Sequence, residues 1–428
     1  MQLAPLVGLA DLLGIGESAV RTARVTSLLA LLACVALMYL IARRMMINRL
    51  ITAVVLLAFV ASPLTQEFMR RVYLDNIATA WALVAFAVAV GPARHRWNYG
   101  LAGMAMGVAV LSKLTMLVLT PALALAVFTY AKRGQRWTSP MATALTTTGM
   151  TALFPLWAWS IGRFDGFWSG TVRQLSRDGG GSMWVEGTPR SAMVARWFDY
   201  DQAFILVGLA AGLLVLIFSR RFRWIGVAAL LPLIQILRSG GYLPAMYIIF
   251  MLPFLTLGMA ACVQGTWNWV RTNIPMLPER ARQSVAIGSL AAGLVLVGPV
   301  MVGRLSADLY TRDVNAPVDQ GVAWILENTT ANDRILVDDI TFSDMRRHGR
   351  TDEWESVVNV YKPDLDPLAA ERLPNGWRDF DYIIDTPVMR GSLGDPALDE
   401  ARQARRSSTV VASFGEEPLH VDVRMVLK

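Results

Sequence analysis

Three short stretches set charged side chains among apolar ones in patterns that could do chemistry. In F-M-R-R-V-Y-L-D-N, residues 68–76, Arg70 and Arg71 precede Tyr73 and Asp75. Paired guanidinium groups offer an anion site, and a carboxylate just beyond them can orient a hydroxyl or take its proton. The second stretch centres on Lys113, an ammonium between two apolar runs. A bare ammonium is expensive in hydrocarbon, so it must reach an interface or meet an anion, and a lipid phosphate is the natural partner. The third is R-S-G-G-Y, residues 238–242, with Pro244 and Pro253 behind it. Here the chain breaks between apolar runs and leaves backbone N–H groups, Arg238 and Tyr242 open to a phosphate. Each stretch also has a plainer reading: Arg70 and Arg71 as headgroup anchors, Lys113 as a snorkelling lysine, residues 238–244 as a turn.

The elements that must hold these residues follow from composition. Of 428 residues, 54% are hydrophobic and 17% charged, against roughly 25% charged in soluble proteins. Apolar runs fall at residues 24–42, 48–62, 76–91, 98–112, 114–130, 138–161, 203–219, 222–238, 243–264 and 283–303. That pattern predicts a polytopic α-helical membrane protein of about ten crossings, with a tight hairpin at Ser112 and Lys113. The net charge of +7 hides a partition. Residues 304–428 carry 15 basic and 23 acidic side chains, leaving 25 basic and 10 acidic for residues 1–303. The chain therefore reads as a basic membrane body, 1–303, and a polar tail domain, 304–428. Basicity of this kind anchors loops at a membrane and does not point to nucleic acid.

If the runs alternate, Arg43, Arg44, Arg49, Arg94, Arg96, Lys132, Arg133, Arg136, Arg220, Arg221, Arg223, Arg271, Arg280 and Arg282 share one side, the cytoplasm. Nine of the ten acidic residues before Gly303 then face out, and so does the tail domain. The N-terminus also starts outside, which calls for a further helix upstream; residues 3–14 suit an interfacial helix better than a crossing. Residues 162–202 form a long outer loop, rich in Trp, Arg and Gly. Its Trp168, Trp184 and Trp197 would sit at headgroup depth, with D-G-G-G-S at 178–182 as a hinge. It reads equally as an interfacial loop or as a gate over the site.

In the tail, residues 317–328 and 396–406 read as helices and 334–338, 382–385 and 421–426 as strands, which makes a small α/β domain. Asp338, Asp339 and Asp344 are a cation site or, more plainly, a strand end and a solvated turn. Cys34 and Cys262 both lie in apolar runs, so the tail has no disulfide or Cys-based metal site. No P-loop, dinucleotide fingerprint or H-E-x-x-H is present.

Taken in order, A-P-L-V-G-L-A-D-L-L-G from Ala4, R-R-V-Y-L-D at residues 70–75, G-M-A-M-G-V-A-V-L-S-K at 103–113 and G-Y-L-P at 241–244 resemble the membrane-embedded GT-C glycosyltransferases. The nearest group is the protein O-mannosyltransferase and aminoarabinose-transferase-like one, similar to glycosyltransferase family 39. The resemblance covers roughly residues 3–265. It implies inverting transfer of a hexosyl or pentosyl group at the outer membrane face, from a polyprenyl-phosphate sugar donor to a hydroxyl on a glycan, lipid or protein. Asp75 matches the family's second outer-loop aspartate, as the catalytic candidate. Lys113 and Arg238 match basic residues near the lipid phosphate, and Arg70, Arg71 and Tyr242 join them as donor-phosphate-binding candidates. No cofactor follows, and a divalent metal stays open. The family's first outer-loop aspartate has no counterpart here, in keeping with the upstream helix called for above. Competing expectations are a flippase or transporter of lipid-linked sugars, which would need polar residues at mid-membrane, and a noncatalytic scaffold displaying an outer binding domain.

Overall fold

The computed structural model describes residues 19–92, 95–176, 181–238, 243–273, 313, 315–350, 352, 354–395, 397–417 and 419–428. It divides into a helical body, Arg24–Ala307, and a C-terminal unit, Asp308–Lys428. The body's helices are α1 (Ala19–Arg44), α2 (Arg49–Ala61), α3 (Pro63–Met69), α4 (Leu74–Ala89), α5 (Arg96–Ser112), α6 (Thr120–Tyr130), α7 (Thr138–Ser160), α8 (Phe164–Ser176), α9 (Pro189–Phe218), α10 (Arg223–Leu230), α11 (Leu233–Leu237) and α12 (Leu252–Asn273). Single 3₁₀ turns at Leu114–Leu119 and Ala245–Ile248 precede α6 and α12.

Fewer full-length spans emerge than the ten predicted. Among the described residues three helical stretches, Ala23–Arg44, Pro189–Phe218 and Ala245–Thr272, are long and apolar enough to cross a bilayer. The pair α2 and α3, bent by 61° at Ser62, makes a fourth if it is one broken span. The others fall short for different reasons: Pro232 divides the run at 222–238 into α10 and α11, Lys113 separates α5 from the 3₁₀ segment before α6 as the runs predicted, and α7 is long enough but its apolar character is diluted by threonines. The run at 283–303 and the segment 3–14 lie outside the described residues. The long apolar helices make the chain an integral membrane protein.

The expected outer loop at 162–202 is mostly helix: α8, then the first third of α9. Trp168 and Trp184 are exposed, as headgroup anchors require, but Trp197 is buried. Most of the proposed hinge lies outside the described residues.

Small residues let the helices approach. Gly103 and Gly107 on α5 face α7 so closely that a Cβ on Gly103 would stand 2.0 Å from Thr146 Oγ1 and 2.3 Å from Thr143 O. Thr143 and Thr147 donate across this seam to the backbone carbonyls of Tyr99 and Gly103, each at 3.0 Å. Interfaces of this kind are driven by close backbone approach, because lipid offers no hydrophobic gain. Further in, Phe86 of α4 stacks on Trp224 of α10 at 5.1 Å and meets Phe254 of α12 edge-on at 5.0 Å.

The C-terminal unit is a five-stranded sheet in the order β2-β1-β3-β5-β4. Its strands are β1 (Ile335–Val337), β2 (Val357–Asn359), β3 (Tyr382–Asp385), β4 (Ser408–Phe414) and β5 (Val421–Val426). β1 runs parallel to β2 and β3, whereas β5 is antiparallel to β3 and β4. Helix α13 (Ala316–Asn328) lays Val322 and Ile325 against Val337, Ile384 and Val423 on one face. Helix α15 (Asp399–Arg406) lays Ala401 and Ala404 against Leu336 and Ile383 on the other, with α14 (Asp339–Arg347) after β1. Both faces are thus covered, as a mixed sheet with crossovers requires. At the β4 edge the register slips between Val410 and Ala412, so Val411 is an extra residue.

Candidate active site

The site begins at an elbow. Ser62 precedes Pro63, and the proline ring keeps the residue before it out of the helical region, at φ −59° and ψ 128°. Pro63 then opens α3, where a missing N–H costs nothing. Asn76, at the start of α4, donates its amide to Met69 O at 3.2 Å and Arg71 O at 2.8 Å. Met69 O is left over at the end of α3 and Arg71 O also accepts from Tyr73 N at 2.9 Å, so Asn76 draws the first turn of α4 against this turn.

This closure buries Asp75, which is 1% exposed. Its Oδ2 accepts from Lys113 Nζ at 3.0 Å. Lys113 is one extended residue, φ −154° and ψ 113°, between α5 and the 3₁₀ turn that follows, and that break turns its side chain to the elbow. The same ammonium lies 5.5 Å from the ring centroid of Tyr247, in the 3₁₀ turn just beyond the 238–244 segment. Among the described residues Asp75 Oδ1 has no hydrogen-bond partner.

Two of the sequence candidates thus meet, 38 residues apart in the chain. The anion found on Lys113 is a protein carboxylate, where a lipid phosphate was expected, because burial of Asp75 makes its own neutralisation the first demand. Arg71 does not pair with Asp75. It pairs with Glu67 one turn earlier and is 45% exposed, and Arg196 reaches the same carboxylate at 3.8 Å. Arg70 is half-buried at the end of α3. Arg238 is exposed at the end of α11, and Tyr242 lies outside the described residues.

Three residues read from sequence as loop charges or anchors, or not singled out, organise the surroundings. Asp201 interrupts α9 with extended backbone, φ −161° and ψ 76°. Its Oδ1 accepts from Phe204 N at 3.0 Å, restarting the helix as an N-cap, and its Oδ2 accepts from Ser62 Oγ at 2.7 Å, fixing the elbow. Arg190, 2% exposed, donates to Gln235 O at 3.3 Å, Ile236 O at 3.0 Å and Arg238 O. Trp197 Nε1 donates to Ala245 O at 2.9 Å, which is why that indole is not at headgroup depth. The local signal for Asp201 is an acidic residue just ahead of the apolar run at 203–219 and three before Phe204, the spacing of an N-cap.

No group of three or more potential ligands able to hold a metal occurs among the described residues. In the C-terminal unit Asp338 accepts from Thr341 N at 2.8 Å and from Thr386 Oγ1, and Asp339 accepts from Asn359 Nδ2 at 2.6 Å. These are strand-end and helix-capping bonds.

The pattern of helices is shared. ArnT from Cupriavidus metallidurans, solved bound to undecaprenyl phosphate, aligns over 99% of this chain and 86% of its own, with TM-score 0.58 and 17% identity. Its apo structure aligns over the same shares with TM-score 0.54 and 17% identity. The chain has the GT-C fold. Residues 9–159 of this GT-C chain match the family described as dolichyl-phosphate-mannose-protein mannosyltransferase, a stretch that contains Asp75 and Lys113 and stops short of Arg238. No curated protein sequence matches.

Proposed function

We propose that this chain is a membrane glycosyltransferase that moves a sugar, hexose or pentose, from a polyprenyl-phosphate carrier to an acceptor hydroxyl at the outer face of the inner membrane, with inversion. The Asp75–Lys113 pair beside Tyr247, with its carboxylate buried, carries the reading. In the transfer the acceptor oxygen bonds to the anomeric carbon, the bond from that carbon to the carrier phosphate breaks, and the acceptor's proton passes to a carboxylate. Asp75 suits that role: Lys113 holds one oxygen and the other points to no protein donor among the described residues. Lys113, Arg238 and Tyr242 meet the charge that grows on the departing phosphate, with Arg70 and Arg71 at the membrane exit. The capture of ArnT with undecaprenyl phosphate supports a carrier of that chemistry.

The reading is tested in membrane vesicles containing the chain, supplied with undecaprenyl phosphate carrying a labelled hexose or pentose. Transfer should be measurable and should fall by about 10² or more in Asp75→Asn, the usual range for a positioned acid or base. Near-wild-type turnover by that variant would move the chemistry elsewhere, with Asp165 or Asp199 next to be tested.

A further inference from the structure

The part of α9 up to its break at Asp201 joins two parts of the site that are far apart in sequence. Arg190 and Trp197 are seven residues apart, two helical turns, and so share one face about 10 Å apart. Their donors end on the two ends of a single connection. Arg190 takes Arg238 O together with the last carbonyls of α11, Gln235 O and Ile236 O. Trp197 takes Ala245 O, the first residue of the 3₁₀ turn that carries Tyr247. On an adjoining flank of the same helix, Arg196 reaches Glu67 and Tyr200 meets Phe68 edge-on at 5.8 Å, and Asp201 holds Ser62. This short helix is therefore bonded to the elbow that presents Asp75 and to the connection that presents Arg238 and Tyr247.

We propose that Arg190 and Trp197 are positioning residues for donor binding, a splint that fixes Arg238 and Ala245 so that Arg238 and Tyr247 converge with Lys113 on the carrier phosphate. The inference rests on the polyprenyl-phosphate reading above. Residue chemistry favours it over mere packing. Burying a guanidinium is costly, and an apolar side chain would fill the same space more cheaply. A guanidinium at the C-terminal end of a helix, by contrast, satisfies several orphan carbonyls at once and fixes where the chain goes next. The bond to Arg238 O also brings the Arg190 guanidinium to the backbone of a second arginine, so the splint gathers positive charge where a phosphate would arrive.

Two probes with the same tail separate the possibilities: undecaprenyl phosphate and undecaprenol, bound to the detergent-purified chain and read by native mass spectrometry. Wild type should prefer the phosphate. Arg190→Gln should weaken phosphate binding by about tenfold or more, the scale of bonds to a charged group, and leave undecaprenol unchanged. Trp197→Phe, which keeps an aromatic side chain but loses the indole Nε1–H bond, should move several-fold in the same direction, and it guards against a misfolded Arg190 variant. If Arg190 acts through Arg238, the double variant Arg190→Gln/Arg238→Gln binds no more weakly than Arg238→Gln alone. Equal losses for both probes, or losses that multiply in the double variant, overturn the splint while leaving the functional reading intact. A wild type indifferent to the phosphate overturns both.

Discussion

Lys113 neutralises Asp75 where the buried carboxylate could not stand charged alone. A buried pair adds little net stability, but removing one partner leaves the other as an uncompensated charge, at about 3 kcal/mol or more. Lys113→Gln should therefore lower the thermal unfolding midpoint in detergent more than the double change Asp75→Asn/Lys113→Gln does. Equal losses in the two would mean that the ion pair is incidental. Sequence made both residues legible by type, as a carboxylate at a membrane exit and an ammonium among apolar residues. It could not make their pairing legible, because contact across 38 residues depends on where the elbow and the α5 break fall. For the same reason Glu67, Asp201 and Arg190 read as loop charges. Their roles are set by partners on other helices, Arg196, Ser62 and the end of α11.

Nine of the ten apolar runs can be followed along the described helices, and most of their ends fall where a proline or a charge breaks the ladder. The run at 48–62 ends at the Ser62–Pro63 elbow, Lys113 separates 98–112 from 114–130, and Asp201 stands just ahead of 203–219, whereas hydropathy averages over Pro232, which splits the run at 222–238. The α5–α7 seam makes the opposite point, since its glycines and threonines dilute hydropathy while providing the closest packing in the body. Gly103→Ala should destabilise the protein by about 1–3 kcal/mol, the range for overpacking. Gly149→Ala on α7, where a Cβ meets nothing within 4 Å, should be neutral or slightly stabilising through helix propensity. Thermal unfolding of the two variants side by side checks this, and equal midpoints would mean the seam can relax.

Across the whole molecule, the charge partition separates an apolar, basic body from an acidic unit whose sheet is covered on both faces. Strands β1, β3 and β5 were legible as runs of β-branched and aliphatic residues. β2, three residues like β1, ends on Asn359 and follows Glu355 and Ser356, and β4 is largely exposed and lacks a clean alternation, so neither stood out. We expect the C-terminal unit to be extracytoplasmic, from the side on which the basic loops fall. Cysteines placed at Ser392 and Ser219 would be compared with a membrane-impermeant thiol reagent in intact cells. Labelling at Ser392 alone is the expected result, and labelling at Ser219 alone reverses the topology. The slipped register at the sheet edge bears on how such a unit behaves when crowded on a membrane. β4 leaves Val410 and Val411 exposed along an unpaired border, and a regular border of that kind would invite the same strand from a neighbouring copy. The extra residue at Val411 spoils the repeat that such stacking needs, so neighbours slide past one another; deleting it should produce concentration-dependent clusters detectable by cross-linking.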